Sequence, residues 1–300
     1  MKKGLFIALS LYIVASLLVF IQATDLKKAA SLISQIGYRF YLLLVITFIA
    51  YLLGTLSWKY TFGVAARNVS LSQLFLVRHV GETAAWFNPT SVIGGDALKG
   101  MLLAKYQIDK KIVVSSLLLS RIIMIATQVV LLLATTTYVL IMMPETYISR
   151  LSLVRTGGMP FLAIRQNAWY KLKEVGADLK TMLNTHRKLL VISCGFALLH
   201  WIIGSLEFFF ILKFLGVKVS MMQALLVDLG VIVFKAAGAF IPGQLGIEEY
   251  GNKIMLLVIG IPGAEIWVSA SILRRARQLV WAAFGILVYF LMFYKVKAAR

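Results

Sequence analysis

The chain of 300 residues contains a single cysteine, Cys194, which excludes an intrachain disulfide. Cys194 lies inside an apolar run, where a thiol behaves as a small packing side chain. Histidine is also scarce: His79, His186 and His200 are scattered along the chain. A structural zinc needs about four clustered ligands, so no metal is expected, and no other cofactor. Charged residues make up only 14% of the chain, too few for a typical soluble surface. No Gly-x-Ser-x-Gly elbow, phosphate-binding Gly-x4-Gly-Lys-Ser/Thr loop or His-Glu-x-x-His pair occurs. With no nucleophile beside a base, no enzymatic activity is expected.

What the chain has in abundance is apolar sequence. It is 60% hydrophobic, with a mean hydropathy of +0.87. Several windows of about 20 apolar residues match the length of a membrane-crossing helix. Continuous apolar runs exclude a β-barrel, whose strands alternate apolar and polar residues. The expected fold is an all-α polytopic membrane protein, one integral membrane domain over 1–300 with about six to nine membrane segments. The net charge of +19 comes from basic residues beside apolar runs, where they set topology and meet anionic lipid headgroups. No nucleic-acid motif accompanies them, so the expected partners are membrane lipids, anionic or phosphate-containing.

Read in order, the chain begins with an uncleaved apolar helix over 4–23, and 24–39 reads as a short polar connection. A span over 40–58 ends in an interfacial edge of Trp58, Lys59 and Tyr60. Residues 71–104 read as a helix–break–helix hairpin, broken at Asn88, Pro89, Gly94 and Gly95. Proline removes an amide hydrogen and disfavours helix in the residue before it. A long apolar run over 112–143 carries one charge, Arg121. The hydrophilic stretch 144–188 holds eight basic residues against three acids and reads as an amphipathic helix on the cytoplasmic surface. Spans over 189–212 and 221–240 follow, and then a second hairpin broken at Pro242, Gly243 and Gly246. Another break, Gly260-Ile261-Pro262-Gly263, precedes the last span, 264–294, and a basic tail expected to be cytoplasmic.

The two hairpins resemble each other. Phe87-Asn88-Pro89 and Phe240-Ile241-Pro242 share a Phe-x-Pro break, and 32 residues separate Pro89 from Arg121 and Pro242 from Arg274. Copies over about 71–143 and 220–294 therefore read as an internal repeat of two broken hairpins, each of which either crosses or re-enters the membrane. The charge bias favours a parallel repeat; an even number of crossings per copy would make it inverted.

A charge at the bilayer centre costs roughly 2.5–3.5 kcal/mol on insertion scales, so it usually faces protein or water. Arg121, Arg274, Arg277 and Lys99 are the candidate residues for a phosphate headgroup, with Asp96, Glu248 and Glu249 as acidic partners. Blander readings stand beside this one. The arginines snorkel to an interface, Arg275 most of all. The two glutamates cap the helix after the Pro-Gly break. Glu207, Asp228 and Lys235 read as a structural ion pair in preference to a relay, and His200 as a satisfied core histidine.

At these residues the chain resembles the transmembrane region of lysylphosphatidylglycerol synthases, which also occurs as stand-alone flippase-like proteins. One motif runs from Pro89 through Gly95-Asp96-Ala97-Leu98-Lys99 to Ser120-Arg121. The other is Ile241-Pro242-Gly243-Gln244-Leu245-Gly246-Ile247-Glu248-Glu249, with Arg274 or Arg275 downstream. The chain departs from the first motif at Lys99, Ser120 and Met124, where the family typically carries Arg, Glu and an acid. The resemblance implies movement of a lipid with a charged or glycosylated headgroup between leaflets of a prokaryotic cell membrane. The chain ends six residues after the last span, so the aminoacyl-transferase domain of the full synthases is not expected. Two other expectations remain. One is an ion- or proton-coupled small-molecule transporter using Glu207, Asp228, Glu248 and Glu249. The other is a scaffold that partners a lipid-synthesis enzyme through 144–188.

Overall fold

In a computed structural model the described residues are 15, 18–22, 24–63, 65, 69–87, 91–106, 108–142, 187–238, 241 and 244–298. Among them the regular structure is entirely helical: α1 (Leu26–Ile36), α2 (Arg39–Tyr60), α3 (Leu71–Phe87), α4 (Ser91–Leu103), α5 (Lys110–Met142), α6 (Arg187–Phe214), α7 (Met221–Ala237), α8 (Ile247–Val258) and α9 (Ala264–Ala298). The all-α membrane class is as expected. Four of these helices, α2, α5, α6 and α9, are long and apolar enough to cross a membrane. At 1.5 Å per residue, α4 and α8 are only about 20 and 18 Å long, short of a hydrocarbon core of about 30 Å. The stretch 144–186 lies outside the described residues, as do the expected breakers Asn88, Pro89, Pro242 and Gly243.

Residues 24–39 are not merely a connection. Asp25 caps α1 by accepting the Lys28 amide at 2.9 Å, and Ala29, Leu32 and Ile36 recur at helical spacing to form its buried face. Local capping and three apolar residues outweigh the polar composition. Trp58, expected at an interface, is instead buried against Phe62 in a core shared by α2, α3, α4, α5 and α9. A second core joins α1, α2, α5, α6, α7, α8 and α9 around Leu43, Phe208, Leu256 and Leu273.

Small residues set the helix contacts. In the antiparallel pair α2–α6, Ser57 and Ser193 hydroxyls lie 3.1 Å apart, and His200 Nδ1 is 2.6 Å from the Ala50 carbonyl. In the α3–α4 hairpin, a Cβ added to Gly95 would lie 2.5 Å from the Gly81 carbonyl oxygen. Gly94 and Gly95 therefore do not break the chain: both lie within α4, and Gly95 lets α4 press against α3. The α7–α8 hairpin closes in the same antiparallel sense, with Gly230 against Met255 and Gly251 against Phe234. Gly246, by contrast, does sit at a break, as the N-cap of α8 at φ 79°. Helix lengths run 17, 13 and 33 residues over α3–α5, and 17, 12 and 35 over α7–α9.

Candidate functional site

Between the hairpins and the long helices lies a cavity of about 620 Å³. Both hairpins reach it, α3–α4 through Glu82, Asp96 and Lys99 and α7–α8 through Asp228, Lys235 and the connecting residue Gln244. The long helices add Arg121 from α5, Glu207 from α6, and Arg274 and Arg277 from α9. Gln244 holds a positive φ of 52°, a conformation non-glycine residues rarely adopt, and it does so where the connection meets the cavity.

The charges are organised into closed groups. In the first, Lys99 Nζ lies 2.6 Å from Glu82 Oε1 and 3.2 Å from Asp96 Oδ1, while Asp96 also binds Arg121 Nε. This group joins α3, α4 and α5 with two bases and two acids. In the second, Arg274 Nη2 donates to Asp228 Oδ1 at 2.8 Å, and its Nε lies 3.4 Å from Glu248 Oε1. Lys235 Nζ approaches the other Glu248 oxygen at 3.4 Å, and Gln278 donates to both oxygens at 3.1 Å. This group joins α7, α8 and α9, again with two bases and two acids. Arg274 also lies over the Phe208 ring at 5.1 Å, which gives its buried cation an aromatic face. A third group is the pair Arg277–Glu207, 2.6 Å from Nε to Oε1. Burial of the charges in these three groups is tolerable because each has an opposite partner.

Arg121, Arg274, Arg277 and Lys99 thus line one cavity although they come from three helices. Of the acidic candidates, Asp96 lines it, Glu248 is buried behind Lys235 and Arg274, and Glu249 is turned elsewhere. Glu249 is both a cap and an ion-pair partner, accepting the Gly246 amide at 2.8 Å and pairing with Arg275. Arg275 does not snorkel: it is buried, paired with Glu249 and stacked over Phe20 at 5.6 Å. The carboxylate behind the break supplies what an interface would otherwise supply. Glu207, Asp228 and Lys235 are not paired among themselves; each takes a different partner, Arg277, Arg274 and Glu248. His200 lines the cavity while bonded to Ala50.

Two charged lining residues, Arg78 and Glu82, both on α3, were not singled out from the sequence. Arg78, on α3, reaches the cavity beside Tyr51 and His79. In sequence it reads only as an interruption of an apolar stretch. The available signal was the one applied to Arg121, a guanidinium in the middle of an apolar helix.

Long apolar helices, short broken ones and a charged interior define a polytopic helical membrane protein. The chain belongs to the lysylphosphatidylglycerol synthase transmembrane region family, whose sequence model matches residues 7–286. That membership makes it an integral membrane protein and ties it to membrane-lipid biosynthesis or translocation. No curated protein and no solved structure matches the chain.

Proposed function

We propose that the protein translocates a phosphate-headed lipid between leaflets of a prokaryotic cell membrane, with its C-terminus and residues 144–188 in the cytoplasm. The observation that carries this reading is the single cavity lined by both hairpins and by six cationic side chains. A volume of about 620 Å³ falls within the range of small-molecule sites, roughly 300–1,000 Å³. In this reading the hairpins are re-entrant, because broken backbone at membrane depth is tolerated only where it is buried in protein or lines a wet cavity. The headgroup crosses through the charged interior while the acyl chains stay in lipid. Arg121, Arg274, Arg277 and Lys99 supply the positive field along the way, and the buried acids keep them in place between passages. Glu207, Asp228 and Glu248 are each engaged with a cation, which counts against their serving as free proton carriers.

Reconstitution into liposomes with fluorescently labelled lipids tests the reading. Wild-type vesicles should expose inner-leaflet label to an external quencher faster than protein-free vesicles. Equal rates across phosphatidylglycerol, phosphatidylethanolamine and a glycolipid would sink it.

A further inference from the structure

The charges around the cavity do not cancel completely. Among the described residues six cationic side chains line it: Arg78, Lys99, Arg121, Lys235, Arg274 and Arg277. Five carboxylates face those cations: Glu82, Asp96, Glu207, Asp228 and Glu248. The two groups of four and the Arg277–Glu207 pair are each neutral in formal charge. Arg78 belongs to none of them. Among the described residues no carboxylate lies within ion-pair distance of it; Glu82, one helical turn on, is paired through Oε1 with Lys99. Among the described residues the Arg78 side chain forms one hydrogen bond, to the Tyr51 carbonyl at 3.4 Å. A guanidinium carries five N–H donors, and among the described residues this one long bond is all that engages them, although Arg78 lines the cavity.

The backbone makes room for this side chain. A Cβ on Gly54 of α2 would lie 2.1 Å from Arg78 Nη1 and 2.7 Å from its Cζ. The glycine is thus the wall against which the guanidinium rests. Two polar neighbours are engaged elsewhere: His79 Nε2 is bonded to the Trp281 carbonyl, and the Tyr51 hydroxyl accepts from Arg277 at 3.3 Å.

We infer that Arg78 is the anion-recognising residue of the cavity, and that the ligand it selects carries one net negative charge on a phosphodiester. The two non-bridging oxygens of a phosphodiester match the guanidinium fork. A single negative charge neutralises the one cation left over, and a second would have to displace a carboxylate already seated on Lys or Arg. This rests on the translocation reading for the source of the phosphodiester, a lipid headgroup. The ion-paired cations hold the hairpins and long helices together, and Arg78 does the selecting.

The test compares wild type with Arg78→Gln, Arg78→Lys and Gly54→Ala. The last keeps every charge but pushes the guanidinium off its wall. Binding is read in detergent by native mass spectrometry and thermal shift, with short-chain phosphatidylglycerol, short-chain phosphatidylcholine and inorganic phosphate as probes. Wild type should prefer phosphatidylglycerol over phosphatidylcholine by about tenfold or more, the scale of one charge-assisted bidentate contact. Arg78→Gln should abolish that preference, Gly54→Ala should weaken it, and Arg78→Lys should retain part of it. A preference unchanged in both Arg78→Gln and Gly54→Ala overturns the assignment. Saturation by inorganic phosphate at the same concentration as the lipid overturns the lipid source and keeps the anion site. The same variants in labelled liposomes separate the two readings. Phosphatidylglycerol bound through Arg78 without any translocation sinks translocation alone. Translocation with Arg78→Gln equal to wild type sinks the Arg78 assignment alone.

Discussion

Glu207 on α6 accepts a hydrogen bond from Arg277 Nε on α9 at 2.6 Å, and each side chain is only 5% exposed. Apart from Glu207, Arg277 has the Tyr51 hydroxyl at 3.3 Å as a hydrogen-bond acceptor. Removing one partner of a buried pair strands the other charge, at a cost of about 3–5 kcal/mol. Glu207→Ala should therefore lower stability by about that amount in a detergent unfolding titration. Replacing both by apolar residues of similar size, Glu207→Leu with Arg277→Met, should recover most of the loss, because no desolvated charge remains. A double variant no more stable than the single one would show that the pair stabilises the fold by attraction, beyond mutual neutralisation.

The α3–α4 contact makes a sharper steric case. A Cβ on Gly95 would meet the Gly81 carbonyl oxygen at 2.5 Å and the Ala85 Cβ at 2.9 Å, so backbone has to move. On Gly100, in the same helix, the nearest atom would be Val113 Cγ1 at 4.0 Å. Gly95→Ala should destabilise by about 1–3 kcal/mol through overpacking. Gly100→Ala should be neutral or stabilising by up to about 1 kcal/mol through helix propensity. Melting temperatures of the two purified variants, measured in one detergent, decide between a packing glycine and a dispensable one.

These contacts show where sequence reading stops. The apolar runs locate α2, α5, α6 and α9 because span length follows from bilayer thickness. The equal spacing from Pro89 to Arg121 and from Pro242 to Arg274 picks out arginines that do reach one cavity. The pairing of charges was not legible. Arg277 finds Glu207 seventy positions away, and Arg274 finds Asp228 forty-six away, each on another helix. Helical periodicity orders neighbours three and four apart and carries no information about partners on a different helix. Gly94 and Gly95 illustrate the converse error. A Gly-Gly pair after a proline reads as a breaker, but inside a helix it is a place for another backbone to approach. Arg78 was passed over because its distinction is an absence, the lack of an acid partner, and that is visible only once the other pairs are known.

Glu249 has two separable tasks, capping Gly246 and pairing with Arg275. Glu249→Gln keeps an oxygen for the Gly246 amide and loses the charge. Glu249→Ala loses both. The alanine variant should be less stable than the glutamine variant by about 1 kcal/mol, the typical worth of a helix N-cap. Equal stabilities, read from matched unfolding curves, would mean that the cap contributes nothing and the ion pair accounts for the whole effect.

Asp96 offers a test of the charge count from the opposite direction. Its carboxylate binds both Arg121 and Lys99, so Asp96→Asn removes one negative charge from the first group and leaves the cavity with two uncompensated cations. A second cation attracts a doubly charged headgroup more than a singly charged one, and the difference is large where the effective dielectric constant is about 20. Near pH 8 a phosphate monoester carries nearly two negative charges, since its second pKa is about 6. The ratio of short-chain phosphatidate to phosphatidylglycerol affinity should therefore rise by roughly fivefold or more in Asp96→Asn at that pH. Asp109→Asn is the control, because Asp109 accepts the Lys111 amide at 2.7 Å at an exposed helix start and does not line the cavity. Its ratio should match wild type. If Asp96→Asn also leaves the ratio unchanged, the closed groups do not set the cavity's charge, and the preference for a single negative charge has to be sought in the shape of the site around Arg78.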